Sequence, residues 1–240
     1  LTTELKTVQR FFDSYWKQEG MRRFDSTSSF AKSATIKAWS LMECDREKKI
    51  LEIGCGEGRD LLRLCGSGAQ VVGIDLSRTG LSVAKDLSPQ TNLLIMDGAD
   101  LGFADSAFDT VFSRTLLMHV RKKALLRECR RVLRPGGKAV FIEPLRSNPL
   151  LIPYRAAISS GRRVAPQYLT IPDLDHIRTV FRSVRIWHFY LLSVIGAPLA
   201  SLMPRARLLF LPLEWLDRLL LSIFPFLKNF CWISVIECTR

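Results

Sequence analysis

Lys49-Ile50-Leu51-Glu52-Ile53-Gly54-Cys55-Gly56-Glu57-Gly58-Arg59-Asp60 decides how this chain is read: an apolar run of strand length, an acid near its end, glycines at alternate positions, and the start of a helical stretch. Short runs of this kind suit strands buried on both faces of a parallel sheet. Glycine at 54, 56 and 58 leaves backbone N–H groups and Cα atoms open to a ligand, because a side chain there would take the ligand's space. A glycine-rich turn is a weak signal alone. The next strand-like run, Gln70 to Ile74, leads into Asp75, 21 residues after Gly54, where a carboxylate can accept hydrogen bonds from both hydroxyls of a ribose. Together the two features predict a nucleoside cofactor site.

Outward from that turn, strand-length runs alternate with segments of helical spacing from Lys49 to about Glu143, the pattern of βαβ units. The strands are expected at Ile50 to Ile53, Gln70 to Ile74, Asn92 to Met96, Phe108 to Ser113 and Gly137 to Glu143. Helices are expected at Arg59 to Cys65, Ser77 to Asp86 and Arg121 to Leu133, the last with Ala124, Leu125, Glu128, Cys129 and Val132 inward and Pro135-Gly136-Gly137 as its stop. Upstream, Val8 to Trp16 gathers Val8, Phe11, Phe12, Tyr15 and Trp16 on one side of a helix; the polar Ser26 to Ser29 precedes a second helix reaching about Met42. Downstream, Asp173 to Phe181 reads as a helix, and Val184 to Ile195 and Cys231 to Cys238 as strands.

The chain has 240 residues, 48% of them hydrophobic, enough for a sizeable core. Its six cysteines show no Cys-x-x-Cys spacing and no disulfide-scaffold pattern, and Leu1 to Lys17 lacks the apolar core of a secretory signal, so a reducing, cytoplasmic setting is expected. Between Arg121 and Arg163 twelve Lys or Arg face two acids, which accounts for most of the net charge of +12. Such a field attracts phosphates or an anionic membrane surface. No zinc-finger, RNP-like or recognition-helix pattern accompanies it, so no nucleic-acid partner is expected. His176 and His188 have no neighbouring Cys/His ligand pattern, and no metal site is assigned.

Residues 50–60 resemble motif I of class I S-adenosylmethionine-dependent methyltransferases. Gly73 to Ser77 resembles that family's ribose-binding strand end, Asp97-Gly98-Ala99 its adenine-contacting turn, Phe103 to Asp109 its lead into the fourth strand, and Arg131 to Gly137 its helix-to-strand segment. The likeness, to small-molecule methyltransferases of type 11, covers about residues 1–145. It implies an α/β fold: a Rossmann-like, seven-stranded, mostly parallel sheet in order 3-2-1-4-5-7-6, with an N-terminal helical cap and a helical insertion before the last strand. It also implies S-adenosyl-L-methionine as cofactor and S-adenosyl-L-homocysteine as product. Glu52, Gly54, Cys55, Gly56 and Gly58 would hold the methionine part, Asp75 and Leu76 the ribose, Asp97 the adenine amino group with Gly98 and Ala99 beside it, and Ser113 would lie near the sulfonium. Asp97 also fits a turn-forming Asp before Gly, though its motif position favours the cofactor role, and Gly58 also fits close helix packing.

Two residues are candidates on the acceptor side. His119, after the fourth strand, stands where a general base would assist an acidic acceptor, although the family also uses this histidine structurally. Tyr15 would present a π face to a cationic donor, or serve as an ordinary core aromatic. Glu143 and the stretch to Arg155 are acceptor-side by position. A nicotinamide oxidoreductase also uses a glycine loop and a ribose acid, but position 59 is Arg and Pro135-Gly136-Gly137 has no role there. A non-catalytic, membrane-associated protein on the same fold is the other alternative.

The chain divides into a cap (1–48), a cofactor core (49–145) and an acceptor side (146–240) with an apolar insertion at 196–230. Phe189 to Met203 is uncharged but too short to span a membrane; Leu208 to Phe226, interrupted by Pro212, Glu214, Asp217 and Arg218, reads as pieces of amphipathic helix. These would cap the pocket, contact a membrane surface peripherally, or pair two copies as a homodimer. A small, hydrophobic or lipid-like acceptor is expected.

Overall fold

The computed structural model describes residues 2–18, 31–159, 165–196 and 207–240; Ser26 to Ser29 and part of the insertion lie outside them. Strands β1 (Lys49–Ile53), β2 (Gln70–Asp75), β3 (Asn92–Ile95), β4 (Phe108–Arg114), β5 (Leu133–Pro144), β6 (Ser183–Phe189) and β7 (Ile233–Thr239) form one sheet. Its order is β3-β2-β1-β4-β5-β7-β6, as expected. The first five strands are parallel, and β7 runs antiparallel to both β5 and β6. The carboxyl ends of β1, β2, β4 and β5 therefore lie along one edge, where open α/β sheets bind ligands.

The helices are α1 (Thr3–Gln18), α2 (Lys32–Leu41), α3 (Arg59–Gly66), α4 (Arg78–Leu87), α5 (Lys122–Val132), α6 (Ile152–Ser159), α7 (Ile171–Val180) and α8 (Arg207–Ile223). Alternation along the strands produces two cores. Ile50, Phe112, Val140 and Val235 pack with α2, α3 and α4 on one face. Leu51, Ile53, Val111, Phe141 and Ile236 pack with α5 and α7 on the other. On α5 the inward stripe is Leu125, Leu126, Cys129 and Val132; Ala124 and Glu128 are only half-buried, and Glu128 instead binds Arg131 and the Leu101 N–H.

Three expectations are corrected. The helix before Pro135-Gly136-Gly137 ends earlier, at Val132, and the three residues lie inside β5 as a bulge: Leu133 pairs with Phe108 and Lys138 with Thr110, so four residues oppose Asp109. The strand expected to reach Ile195 stops at Phe189, because Tyr190 adopts φ +63° and turns inward, where its hydroxyl accepts the Ser33 and Ala34 N–H groups at the start of α2. Residues 208–223 lie within one continuous helix, α8, with Pro212 inside it. Pro212 removes one backbone donor but does not end the helix. Asp217 is no interruption either: it is buried and accepts from the N–H groups of Leu191, Leu192 and Ser193 and from Ser193 Oγ, at 2.6–3.3 Å. Among the described residues no helix is long and apolar enough to cross a membrane.

Candidate active site

A cavity of about 550 Å³ opens along the carboxyl edge of the sheet. The β1–α3 loop forms one wall. Gly54 N–H donates to the Ile74 carbonyl at 2.8 Å, which draws the loop over the end of β2. Asp75 then holds the loop from the other side, its Oδ2 accepting Gly56 N–H at 2.9 Å and its Oδ1 accepting Ser77 N–H at 2.7 Å. Burial raises the Asp75 carboxyl above its ordinary value, against these amide bonds, which lower it. Gly56 has φ +51° and its hydrogen faces the Trp16 ring, where a Cβ would come within 2.5 Å of ring carbon.

The structure brings Glu52, Gly54, Cys55, Asp75, Leu76, Asp97 and Gly98 into the cavity wall together with Tyr15 and His119. Four other predicted residues do not line it. Gly56 lies under Trp16; Gly58, at φ +83°, allows α3 to approach Ala84 of α4, the packing alternative; Ala99 donates its N–H to Asp97 Oδ1; and Ser113 is buried within the sheet between Ile53 and Phe141. Asp97 thus makes the turn contact its sequence allowed while also lining the cavity, and it pairs with exposed Arg121 at 3.2 Å.

Helix α1 closes another side. Asp13 accepts from Ser77 Oγ at 2.7 Å and Thr79 N–H at 3.0 Å, at the N-terminus of α4. Although burial pushes the other way, these bonds hold the Asp13 carboxyl below its usual value. Gln9 donates to the Leu76 carbonyl at 2.7 Å. So fixed, α1 turns Phe11, Phe12, Tyr15 and Trp16 into the cavity. Phe12 packs edge-on against His119, with centroids 5.2 Å apart, and against Tyr15 at 6.5 Å.

Sequence reading missed one part of the charged floor, the pair of Arg114 and Asp60. Arg114, the last residue of β4, grips Asp60 with two hydrogen bonds and donates to Thr35 Oγ1 at 2.9 Å. Burial, with Asp60 and Asp75 nearby, pushes the Glu52 carboxyl well above the ordinary range despite Arg114, and Glu52 Oε2 has no hydrogen-bond partner among the described residues. Glu143 is fully buried: Oε1 accepts the Leu116 and Leu117 N–H groups at 2.8 and 2.9 Å, Oε2 accepts from no described residue, and burial pushes its pKa up to about 8. Arg155 and Tyr168 line the same space. An acid at a strand end signals Glu143, but no local pattern pairs Arg114 with Asp60, 54 positions away.

Residues 51–141 match the family described as "Methyltransferase domain". The methyltransferase GfsG of Streptomyces halstedii is 29% identical over 137 residues, 54% of this chain and 49% of that protein. Phosphoethanolamine N-methyltransferase 3 of Arabidopsis thaliana is 29% identical over 152 residues, 58% of this chain and 31% of that protein. The chain thus spans half or less of the length of these relatives. Among solved structures, the Haemonchus contortus phosphoethanolamine N-methyltransferase 2 in complex with S-adenosyl-L-methionine shares the fold with a TM-score of 0.65 at 16% identity, over 95% of this chain and 59% of that one.

Proposed function

We propose that this chain, which belongs to the class I S-adenosylmethionine-dependent methyltransferases, transfers a methyl group to a small acceptor with an apolar body. The observation that carries the reading is one continuous cavity joining the Gly54 loop, Asp75 and Asp97 to the aromatic face of α1, Leu116, Leu151 and Trp232. S-adenosylmethionine supplies a methyl group on a sulfonium, transferable by a single displacement in which a neutral thioether leaves.

The residues present fit that cofactor. Asp75 offers carboxylate oxygens for ribose hydroxyls, Asp97 an acceptor for an amino group, and the orphaned Glu52 Oε2 an acceptor for an ammonium. The protein's own work is then to align and to exclude water. The latch of Asp13 and Gln9 keeps α1 across the cavity, and its rings, with His119 packed on Phe12, form the acceptor wall. Tyr15 faces a cationic donor and His119 an acceptor proton in this scheme. Calorimetry with S-adenosylhomocysteine and NADH tests the assignment: binding of the first alone is expected, and tight NADH binding would point to the oxidoreductase alternative.

The same reading places the protein peripherally at the cytoplasmic face of a membrane. Leu211, Trp215, Leu219 and Ile223 form an exposed i, i+4 stripe along α8, continued by Phe224, Phe226 and Phe230. Glu214 and Asp217 lie on the inward side, bonded to Ser33 and to the turn at 191–193, which leaves an apolar face flanked by exposed Arg218 and Lys228. A lipid surface suits that combination and would deliver apolar acceptors to the site.

A further inference from the structure

Among the described residues, Arg155 is a buried cation in the cavity wall with no carboxylate paired to it. Leu145 bridges to Leu169, and Arg146 N–H and Leu169 N–H bond across to the Leu169 and Pro144 carbonyls, so the segments on either side of α6 and α7 are tied to the end of β5. Asn148, fully buried, donates to the Tyr190 and Leu191 carbonyls and caps Leu150 N–H at the entrance to α6. This frame holds Arg155 9% exposed, its Nη1 donating to the Arg146 carbonyl at 2.6 Å and its guanidinium over the Tyr168 ring at 4.1 Å. Nη2 has no hydrogen-bond partner and no carboxylate pairs with the side chain among the described residues. A buried guanidinium with an open donor carries a desolvation cost that an anion removes. Two other buried charges are matched: Arg114 by Asp60, and Asp217 by backbone donors.

We propose that Arg155, backed by Tyr168, receives an anionic oxygen group of the methyl acceptor, a carboxylate or a phosphate, so that the substrate is amphiphilic rather than uniformly apolar. The guanidinium offers a fork suited to either group, and the ring beneath it fixes the fork's plane. The anion would orient the acceptor's apolar body along the α1 aromatics. This deepens the reading of the cavity as a methyl-transfer site and rests on it.

The test is calorimetric titration of the S-adenosylhomocysteine-loaded protein with octanoate, octyl phosphate, 1-octanol and octylammonium. At least one anionic probe is expected to bind 10-fold or more tightly than 1-octanol, and octylammonium not at all; which anion binds better identifies the group. Arg155→Met should erase that preference and Arg155→Lys retain part of it, both with S-adenosylhomocysteine affinity unchanged, which shows that the variants fold. Equal binding of octanol and the anions, no anion binding to the wild type, or an unchanged preference in Arg155→Met would overturn the proposal. Loss of S-adenosylhomocysteine binding by the wild type would instead overturn the methyltransferase reading beneath it.

Discussion

Arg114 closes a two-point clasp on Asp60, Nε to Oδ2 at 2.6 Å and Nη2 to Oδ1 at 2.8 Å, with both side chains 9% exposed. The clasp ties the end of β4 to the first turn of α3 and sets a cation beside Glu52. Breaking a buried pair from one side strands the other charge, at a cost of about 3–5 kcal/mol. Arg114→Leu should therefore lose stability of that order in urea unfolding. A loss under about 1 kcal/mol would mean that the pair behaves as a surface bridge.

Glu143 makes stability depend on pH. Its folded pKa, pushed up to about 8 by burial, lies above the unfolded value of 4.5. Below 4.5 both states carry the proton; as pH rises toward 8 the unfolded state releases it first, so stability falls across that window and levels off above it. Glu143→Gln keeps an oxygen for the Leu116 and Leu117 amides and removes the titration. Relative to wild type, the variant should gain on the order of 4 kcal/mol between pH 4.5 and 8.5, read from urea unfolding at the two pH values. A constant difference would show that Glu143 does not titrate in this range.

Asp75 serves the loop and the ligand with the same two oxygens. Each already accepts one backbone N–H, from Gly56 and Ser77. Asn keeps one acceptor and turns an NH₂ toward the other amide. Asp75→Asn should weaken S-adenosylhomocysteine binding about 10- to 100-fold, or about 1.4–2.7 kcal/mol, and lower the melting temperature. Calorimetry beside a thermal melt separates the two effects; unchanged affinity would remove Asp75 from the cofactor's partners.

What was legible in the sequence was whatever is written in neighbouring residues. Strand-length apolar runs and the Gly54 turn marked the core strands and the edge where the cavity opens, the resemblance to class I methyltransferases supplied the sheet order, and the aromatic spacing of α1 gathered Tyr15 and Trp16 on the helix face that lines the cavity. Contacts between distant residues were not legible. Asp217 reads as a break in an apolar helix, yet it binds a turn 24 to 26 positions away. Ser113 sits at the right place along β4 for a site residue, but it is covered between Ile53 and Phe141 of the neighbouring strands and does not reach the cavity wall, which the sequence of β4 alone does not show. Tyr190 ends β6 for a reason found on α2.

The α8 face gives the last prediction. Trp215 and Phe226 are 62% and 63% exposed, so their substitution removes apolar surface without opening the core. Transferring such side chains from water is favourable by roughly 1.5–3 kcal/mol each when burial is complete, and partial insertion into a lipid interface keeps a fraction of that. Trp215→Ser with Phe226→Ser should weaken sedimentation with phosphatidylcholine–phosphatidylglycerol vesicles about 10-fold or more, with S-adenosylhomocysteine binding intact. Added salt should weaken the wild type further, since Arg218 and Lys228 act on the anionic headgroups through a screened field. A wild type that ignores vesicles but sediments as a dimer, which the double substitution converts to a monomer, would assign the stripe to a second copy of the chain instead.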